Sequence, residues 1–228
     1  MVDSDEEKEK EEADKEVSES KVIFTSGAPP AGVTSLVAFE RGDAMALAKI
    51  VLDGKLVEVG KAETLYKEKT KDSLQLYHMA EGNALVIYPT ETLKGSFQGQ
   101  IMDQLFTLIP SVKRVLTLGS LYKTHYTDTN MYYSSDDGAI PLKYYKTSYT
   151  QADADLNTYL GKIQPSAVMN IKGGIGGALL MEAEMRGVSG AVITAITDSH
   201  YVTAEILQAF GPVVTDVLKV GGINFGDI

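Results

Sequence analysis

The sequence predicts an α/β fold, a three-layer sandwich whose central sheet is largely parallel. Two apolar runs, residues 167–171 (AVMNI) and 191–196 (AVITAI), show almost no polar alternation, as expected of strands that are buried on both faces. Between them lie a glycine-rich stretch, residues 173–177 (GGIGG), and a run of helix formers over residues 178–186. Two strands joined by a helix in this way are typical of a parallel crossover unit.

The rest of the chain supplies further strands and helices in mixed order. Asp43 is a suitable N-cap for a helix that ends near Asp53 and Gly54, and residues 98–109 have the spacing of an amphipathic helix. Two later helices are predicted over residues 153–160 and after His200, and Pro212 predicts a kink or a restart in the last one. Strands are predicted at residues 21–25, 35–39, 56–59, 74–77, 84–88 and 112–118.

The negative charge of the chain is concentrated at its N-terminus. Residues 1–20 hold ten acidic side chains and three lysines, a charge of −7 out of a total of −10, so the remaining residues carry only −3. A segment of this composition buries too little apolar surface to offset its ordering entropy. We therefore expect a disordered acidic leader over residues 1–20 and a single α/β domain over residues 21–228.

The composition also excludes several kinds of site, and several kinds of partner are not expected from it. The chain has no cysteine, which excludes disulfides, cysteine nucleophiles and thiolate metal sites. The basic residues do not cluster, and no apolar run approaches the length of a membrane span, so we expect neither a nucleic-acid partner nor a membrane. The leader lacks the features of a signal or transit peptide, which favours the cytosol or the nucleus.

The glycine-rich stretch allows two interpretations. It follows a predicted strand and precedes a predicted helix, where Gly174, Gly176 and Gly177 could form an anion cradle. A dinucleotide fingerprint would need a third glycine where Leu179 stands, and no P-loop sequence is present. The spacing favours a tight turn that begins at Gly173 over a phosphate site.

Other polar residues form no catalytic or metal-binding pattern in the sequence. His78, His125 and His200 have no second histidine at metal-ligand spacing and form no pattern that suggests a metal site, and Asp198 and Ser199 are suited to capping a helix. We therefore predict no catalytic residues, no metal and no cofactor.

Seven tyrosines occur in an irregular stretch over residues 122–149. Tyrosine offers a large contact area with a polar tip, which is typical of interfaces. An ordinary long loop whose rings fold back onto the domain is the alternative, and the sequence leaves both open. The tyrosines are Tyr122, Tyr126, Tyr132, Tyr133, Tyr144, Tyr145 and Tyr149.

Several segments, taken in order, resemble the proteasome assembly chaperone 1 family. Residues 188–198 (VSGAVITAITD) and 204–214 (AEILQAFGPVV) are similar to the C-terminal half of that family. Residues 115–128 and 140–148 resemble its middle strand and polar loop, and residues 57–66 (VEVGKAETLY) resemble part of its N-terminal half.

The resemblance implies a chaperone without catalysis. Such proteins pair as heterodimers with a related type 2 assembly chaperone and hold α subunits of the 20S proteasome core particle while the α-ring forms. It also implies a nucleoside-phosphorylase-like α/β fold. The alternative function is a small α/β nucleotide- or phosphate-binding enzyme that uses the loop from Gly173 to Gly177.

The C-terminus departs from the family pattern. Family members end in a hydrophobic–tyrosine–any-residue motif, whereas Gly226 and Asp227 stand at the hydrophobic and tyrosine places here. No tail residues are therefore assigned to binding.

Overall fold

The computed structural model of the protein describes residues 19–40, 52, 54–66, 69–90, 93, 95–122, 125, 140–166, 174–198 and 204–221. The predicted helix after Asp43, except Leu52, and the predicted strand over residues 167–171 lie outside this part. So does the predicted acidic leader, except for Glu19 and Ser20, which begin the first strand.

The described residues form one sheet of nine strands in the order β1-β3-β4-β5-β2-β6-β9-β7-β8. The strands are β1 (Glu19–Phe24), β2 (Ser35–Phe39), β3 (Leu56–Tyr66), β4 (Lys69–Met79), β5 (Ala84–Pro89), β6 (Arg114–Tyr122), β7 (Leu142–Lys146), β8 (Gln164–Pro165) and β9 (Ser189–Thr197).

The sheet is mixed, so the prediction of a largely parallel sheet was wrong. The centre is parallel, because β2 pairs in parallel with β5 and β6, and β6 with β9. On one flank β1, β3, β4 and β5 pair in sequence as antiparallel strands. On the other flank β7 is antiparallel to β9, and the two-residue strand β8 pairs in parallel with β7. Only two residues separate β3 from β4 and four separate β4 from β5, and connections this short can join only antiparallel neighbours.

Helices cover both faces of the described sheet, as a three-layer arrangement requires. They are α1 (Gly95–Leu108), α2 (Ala154–Leu160), α3 (Ile175–Met185) and α4 (Ala204–Pro212), followed by a π-helical turn (Val213–Val217). The α-helix ends at Pro212, where the sequence predicts a kink or a restart, and the chain continues as the π-helical turn; proline has no N–H with which to continue the hydrogen-bond ladder. None of the described helices is long and apolar enough to cross a membrane.

The core is divided into two apolar clusters by the sheet. On one face, Leu36, Ala38 and Val115 pack against α1 and α3. On the other, Val37, Phe39 and Leu118 pack against α2, α4 and the π-helical turn. All five residues of β2 are buried, which explains why the sequence pattern located this strand correctly.

The outer edge of β1 is closed by side chains of α1. Gln100 accepts a hydrogen bond from the Ser20 amide at 3.1 Å, and Gln104 accepts one from the Val22 amide at 2.9 Å. The Gln104 side chain also donates to the Ser20 carbonyl at 2.6 Å. These amides satisfy backbone groups that an exposed edge strand would offer to another chain.

Arg114, the first residue of β6, links three elements on the α2 side of the sheet. Its guanidinium forms a two-bond ion pair with Asp153 and donates to the Val217 carbonyl at 2.6 Å. Asp153 also caps α2 by accepting from the Leu156 amide at 3.1 Å. Burial opposes ionisation of this carboxyl, but the bonds from Arg114 and Leu156 outweigh it and lower its pKa.

We predict that Asp153→Asn lowers the free energy of unfolding by about 3 kcal/mol, because it leaves a mostly buried arginine without its counter-ion. A lowered carboxyl pKa stabilises the fold above the unfolded value of about 3.9, and this stabilisation disappears as the pH falls through the folded pKa. The loss should therefore be full at pH 7 and shrink below pH ~4 in urea unfolding. Asp155→Asn is the control, since Asp155 is half exposed and lies 3.8 Å from Arg114. An equal loss in both variants would contradict the prediction.

Candidate functional site

The carboxyl ends of β2 and β6 meet the amino-terminal end of α3 on one face of the sheet. The amide of Glu40, the residue after β2, donates to the Leu118 carbonyl at 2.9 Å, so the chain at Glu40 continues beside β6. Strands β5 and β6 lie on opposite sides of β2. In α/β sheets, ligands bind outside the carboxyl ends of strands at such a reversal of strand order.

The described part of the glycine-rich stretch, Gly174 to Gly177, forms the N-cap and the first residues of α3. Gly174 is the N-cap, with φ −152° and ψ −178°, and Gly176 and Gly177 already lie in the helix. The helix thus begins at Ile175, before the predicted residue 178. Gly173 lies outside the described residues.

Two glycines allow the Glu40 carboxyl to lie between the sheet and α3. A Cβ on Gly176 would stand 2.5 Å from Glu40 Oε1 and 2.6 Å from Thr117 Cγ2. A Cβ on Gly119, in β6, would stand 2.9 Å from Glu40 Oε2. Such distances are too short for real contacts, so these two positions accommodate Glu40 only because they have no side chain.

The Gly176 amide donates a hydrogen bond of 3.3 Å to Glu40 Oε1. Burial raises the pKa of the Glu40 carboxyl above its ordinary value of 4.5, and the bond from Gly176 only partly opposes this effect. Of the three glycines considered for an anion cradle, Gly176 therefore already binds a carboxyl group of the same chain.

Sequence reasoning missed Glu40 because 136 positions separate it from Gly176. One signal was present in the sequence: a carboxylate, Glu40, directly follows the apolar run LVAF at the end of the predicted strand. A polar residue at the carboxyl end of a buried parallel strand is a candidate site residue, because ligands of α/β sheets bind at that edge.

The remaining predicted residues do not join this site in the described structure. His78 lies in β4, and Asp198 is exposed just after β9. His125 packs edge-on against Tyr122, with ring centroids 6.0 Å apart, and His200 and Ser199 lie outside the described residues. No group of three or more potential metal ligands is found among the described side chains.

The tyrosine-rich stretch is more regular than the sequence indicated. Tyr144 and Tyr145 belong to β7, and Tyr149 lies in a 3₁₀ turn (Ser148–Ala152). Strand β7 was missed because its sequence, LKYYK, has no run of apolar residues. Tyr126, Tyr132 and Tyr133 fall outside the described residues.

The outward face of α3 exposes large apolar side chains. Met181 and Met185, one helical turn apart, are 63% and 69% exposed, and nearby Tyr149 is 46% exposed. Tyr149 packs over Gly187, where its ring atoms would lie 3.6–4.0 Å from a Cβ. We call Tyr149, Met181 and Met185 the α3 patch.

Two charged residues near the α3 patch, Glu184 and Arg186, are already bonded within the chain. Glu184 accepts hydrogen bonds from the amide and hydroxyl of Ser148, at 2.8 and 2.5 Å. Arg186 pairs with Glu182 and with Asp103, and its guanidinium lies 5.4 Å from the centre of the Phe106 ring. The patch therefore offers a partner mainly apolar atoms.

We predict that Gly176→Ala destabilises the protein by about 1–3 kcal/mol, because the added methyl overlaps Glu40 and Thr117. The matched control is Gly99→Ala in α1, where a Cβ would meet nothing within 4 Å. That change should stabilise by about 0.5–1 kcal/mol through helix propensity. Chemical denaturation of both variants checks the opposite signs, and stabilisation by Gly176→Ala would contradict the contact.

We predict that Glu40→Gln gains stability relative to the wild type as the pH rises. A raised carboxyl pKa means that Glu40 contributes most when protonated, and its contribution is lost as the pH rises through the folded pKa. The free energies of unfolding of the two proteins, measured by urea denaturation, should differ least near pH ~4 and most above neutral pH. A difference that does not change with pH would rule out the raised pKa.

No family model matches the sequence, and no curated protein matches it. Solved structures do match. The structure is similar to Pyrococcus furiosus PbaA, an archaeal homologue of proteasome-assembly chaperone, with a TM-score of 0.65 and 11% identity over 91% of this chain and 84% of that one.

Two further structures have the same fold. Pyrococcus furiosus PbaB, an archaeal proteasome activator, matches with a TM-score of 0.63 and 12% identity over 92% of each chain. A Mycobacterium tuberculosis proteasome-assembly chaperone homologue matches with a TM-score of 0.53 and 15% identity, over 85% of this chain and 89% of that one. The chain therefore has the fold of proteasome-assembly chaperone homologues.

Proposed function

We propose that the chain is a proteasome assembly chaperone subunit. In this role it pairs with a related, type 2 assembly chaperone and binds α subunits of the 20S proteasome while their ring forms. It acts through contacts and without catalysis, in the cytosol or the nucleus. The observation that carries the proposal is the likeness to PbaA over 91% of the chain.

The α3 patch supplies a surface for such pairing. Exposed methionines adapt their shape to different apolar partners, and apolar side chains dominate the centre of stable interfaces. Glu184 and Arg186 are already bonded within the chain. We therefore expect the α3 patch to bind an apolar surface of the related chaperone subunit rather than a charged segment.

The alternative of a phosphate- or nucleotide-binding enzyme has less support. It requires free amides at Gly174, Gly176 and Gly177, but the Gly176 amide donates to Glu40, whose side chain lies against the same turn.

The proposal is tested by co-expressing the chain with a type 2 assembly chaperone and α subunits from the same source. We expect a complex that elutes together in size-exclusion chromatography and assembles α-rings faster than α subunits alone. A folded chain that binds neither partner would overturn the proposal.

We predict that Met181→Asp combined with Met185→Asp weakens binding to the type 2 subunit at least tenfold, because charges would be buried in the contact. Both side chains are mostly exposed, so the variant should keep its thermal stability. Val57→Asp is the control: Val57 is 65% exposed in β3, on a strand remote in sheet order from the strands beneath α3. If Val57→Asp abolishes binding and the methionine variant does not, the surface is assigned wrongly.

A further inference from the structure

We infer that Met181 and Met185 form a peroxide-sensitive modification site, at which oxidation converts the α3 patch from an apolar to a polar surface. The oxidant class is a peroxide, and the product is methionine sulfoxide at both positions. The inference rests on the proposed function in one respect: through that function, oxidation of the patch controls pairing with the related chaperone subunit.

The composition of the chain directs dilute peroxide to methionine. The chain holds eight methionines but no cysteine and no tryptophan. Cysteine thiolates are the usual first target of peroxides in proteins, and none can compete here. The rate at which each thioether is oxidised therefore depends on its access to solvent.

Exposure differs sharply among the four methionines that the structure describes. Met79, at the end of β4, and Met102, in α1, are completely buried. Met181 and Met185 are 63% and 69% exposed on the outer face of α3. Peroxide therefore reaches the two thioethers of the α3 patch directly, whereas it has no direct access to the two in the core.

The helix places the two exposed thioethers side by side without using them for packing. Residues four apart lie on the same face of an α-helix, one turn from each other. The opposite face of α3 buries Leu179 and Ala183 against the sheet, and neither exposed methionine belongs to an apolar core cluster. Oxidation of Met181 and Met185 should therefore change the surface of the domain and leave its packing intact.

The reaction transfers one oxygen atom to each thioether. The sulfur lone pair attacks one oxygen of hydrogen peroxide, so that an S–O bond forms and the O–O bond breaks. The sulfur loses two electrons, and the second peroxide oxygen takes them with a proton from the transferred oxygen and leaves as water. A methionine sulfoxide reductase reverses the change with two electrons from a thiol donor and releases the oxygen as water.

A sulfoxide changes what the α3 patch can bind. The new oxygen is a hydrogen-bond acceptor, and burying an acceptor without a donor costs free energy. Donors near the patch already have acceptors within the chain. The Ser148 hydroxyl donates to Glu184, and Arg186 donates to Glu182 and Asp103. An apolar partner surface would bury the sulfoxide oxygens without donors, so oxidation should weaken pairing.

The first test oxidises the folded full chain with dilute hydrogen peroxide at neutral pH and follows each methionine by mass spectrometry of its peptides. We expect Met181 and Met185 to be oxidised at least about tenfold faster than Met79 and Met102, because of their exposure. Retention on a hydrophobic-interaction column should fall, while the circular dichroism spectrum stays unchanged.

The matched variant for this test is Met181→Leu combined with Met185→Leu. Leucine keeps an apolar side chain of similar size that peroxide does not attack, so the retention of this variant should fall much less. Both proteins contain the same other methionines, and the difference between them reports the α3 patch alone.

The second test measures binding to the type 2 assembly chaperone after the chain has been oxidised and the peroxide removed. We expect wild-type binding to weaken about tenfold or more, and a methionine sulfoxide reductase with its thiol donor should restore it. The leucine variant should bind equally well before and after peroxide. Adding Val57→Met to that variant places an oxidisable side chain at a position that is 65% exposed in β3, and its oxidation should leave binding unchanged.

The results that overturn the inference differ from those that overturn the proposed function. Equal oxidation rates at exposed and buried methionines, or an equal loss of retention in the wild type and the leucine variant, would show that the α3 patch is not the peroxide-sensitive site. Undiminished binding by a wild type oxidised at both positions would refute the control of pairing. If the unoxidised chain does not bind but oxidation still lowers its retention, the proposed function fails and the modification site stands.

Discussion

The whole arrangement depends on the need to bury both faces of the central strands. Every residue of β2 and of β5 is buried, so helices must pack on both sides of the sheet. Parallel strands also require long connections, and α1 provides the one that leads from β5 across β2 to β6. Their carboxyl ends consequently lie at a common edge, where Glu40 meets the start of α3.

Close packing of α3 against β6 sets the character of that edge. A helix that begins directly over a strand needs residues without side chains at the contact, and Gly119 and Gly176 provide them. The side chain of Glu40 fills the space that they leave, and its burial there disfavours the charged carboxylate and raises its pKa. A glycine-rich start of a helix can therefore serve an internal carboxyl as well as a phosphate group, and the sequence motif does not distinguish the two.

The two candidate surfaces differ in what they leave accessible. At the strand ends the helix amide is bonded to a side chain of the same protein, whereas the outer face of α3 exposes Met181 and Met185 to solvent. This contrast supports the proposal that the protein acts through contacts with other chains. The partners that we propose, a related chaperone and proteasome α subunits, are inferred from the structural similarity to PbaA, a homologue of proteasome-assembly chaperone, and to PbaB, a proteasome activator.

The sequence by itself determined the α/β class, the bounds of β2, the approximate places of β9 and α1, and an irregularity of the last helix at Pro212, because each depends on local apolar runs or on backbone chemistry. It missed β7, which lacks such a run. It also predicted a largely parallel sheet, and this was wrong because the direction of pairing depends on which strands become neighbours, which local sequence does not record. Only the tertiary structure decided the meaning of the glycine-rich stretch. The carboxyl that lies against Gly176 comes from Glu40, and no local pattern records a contact between residues 136 positions apart.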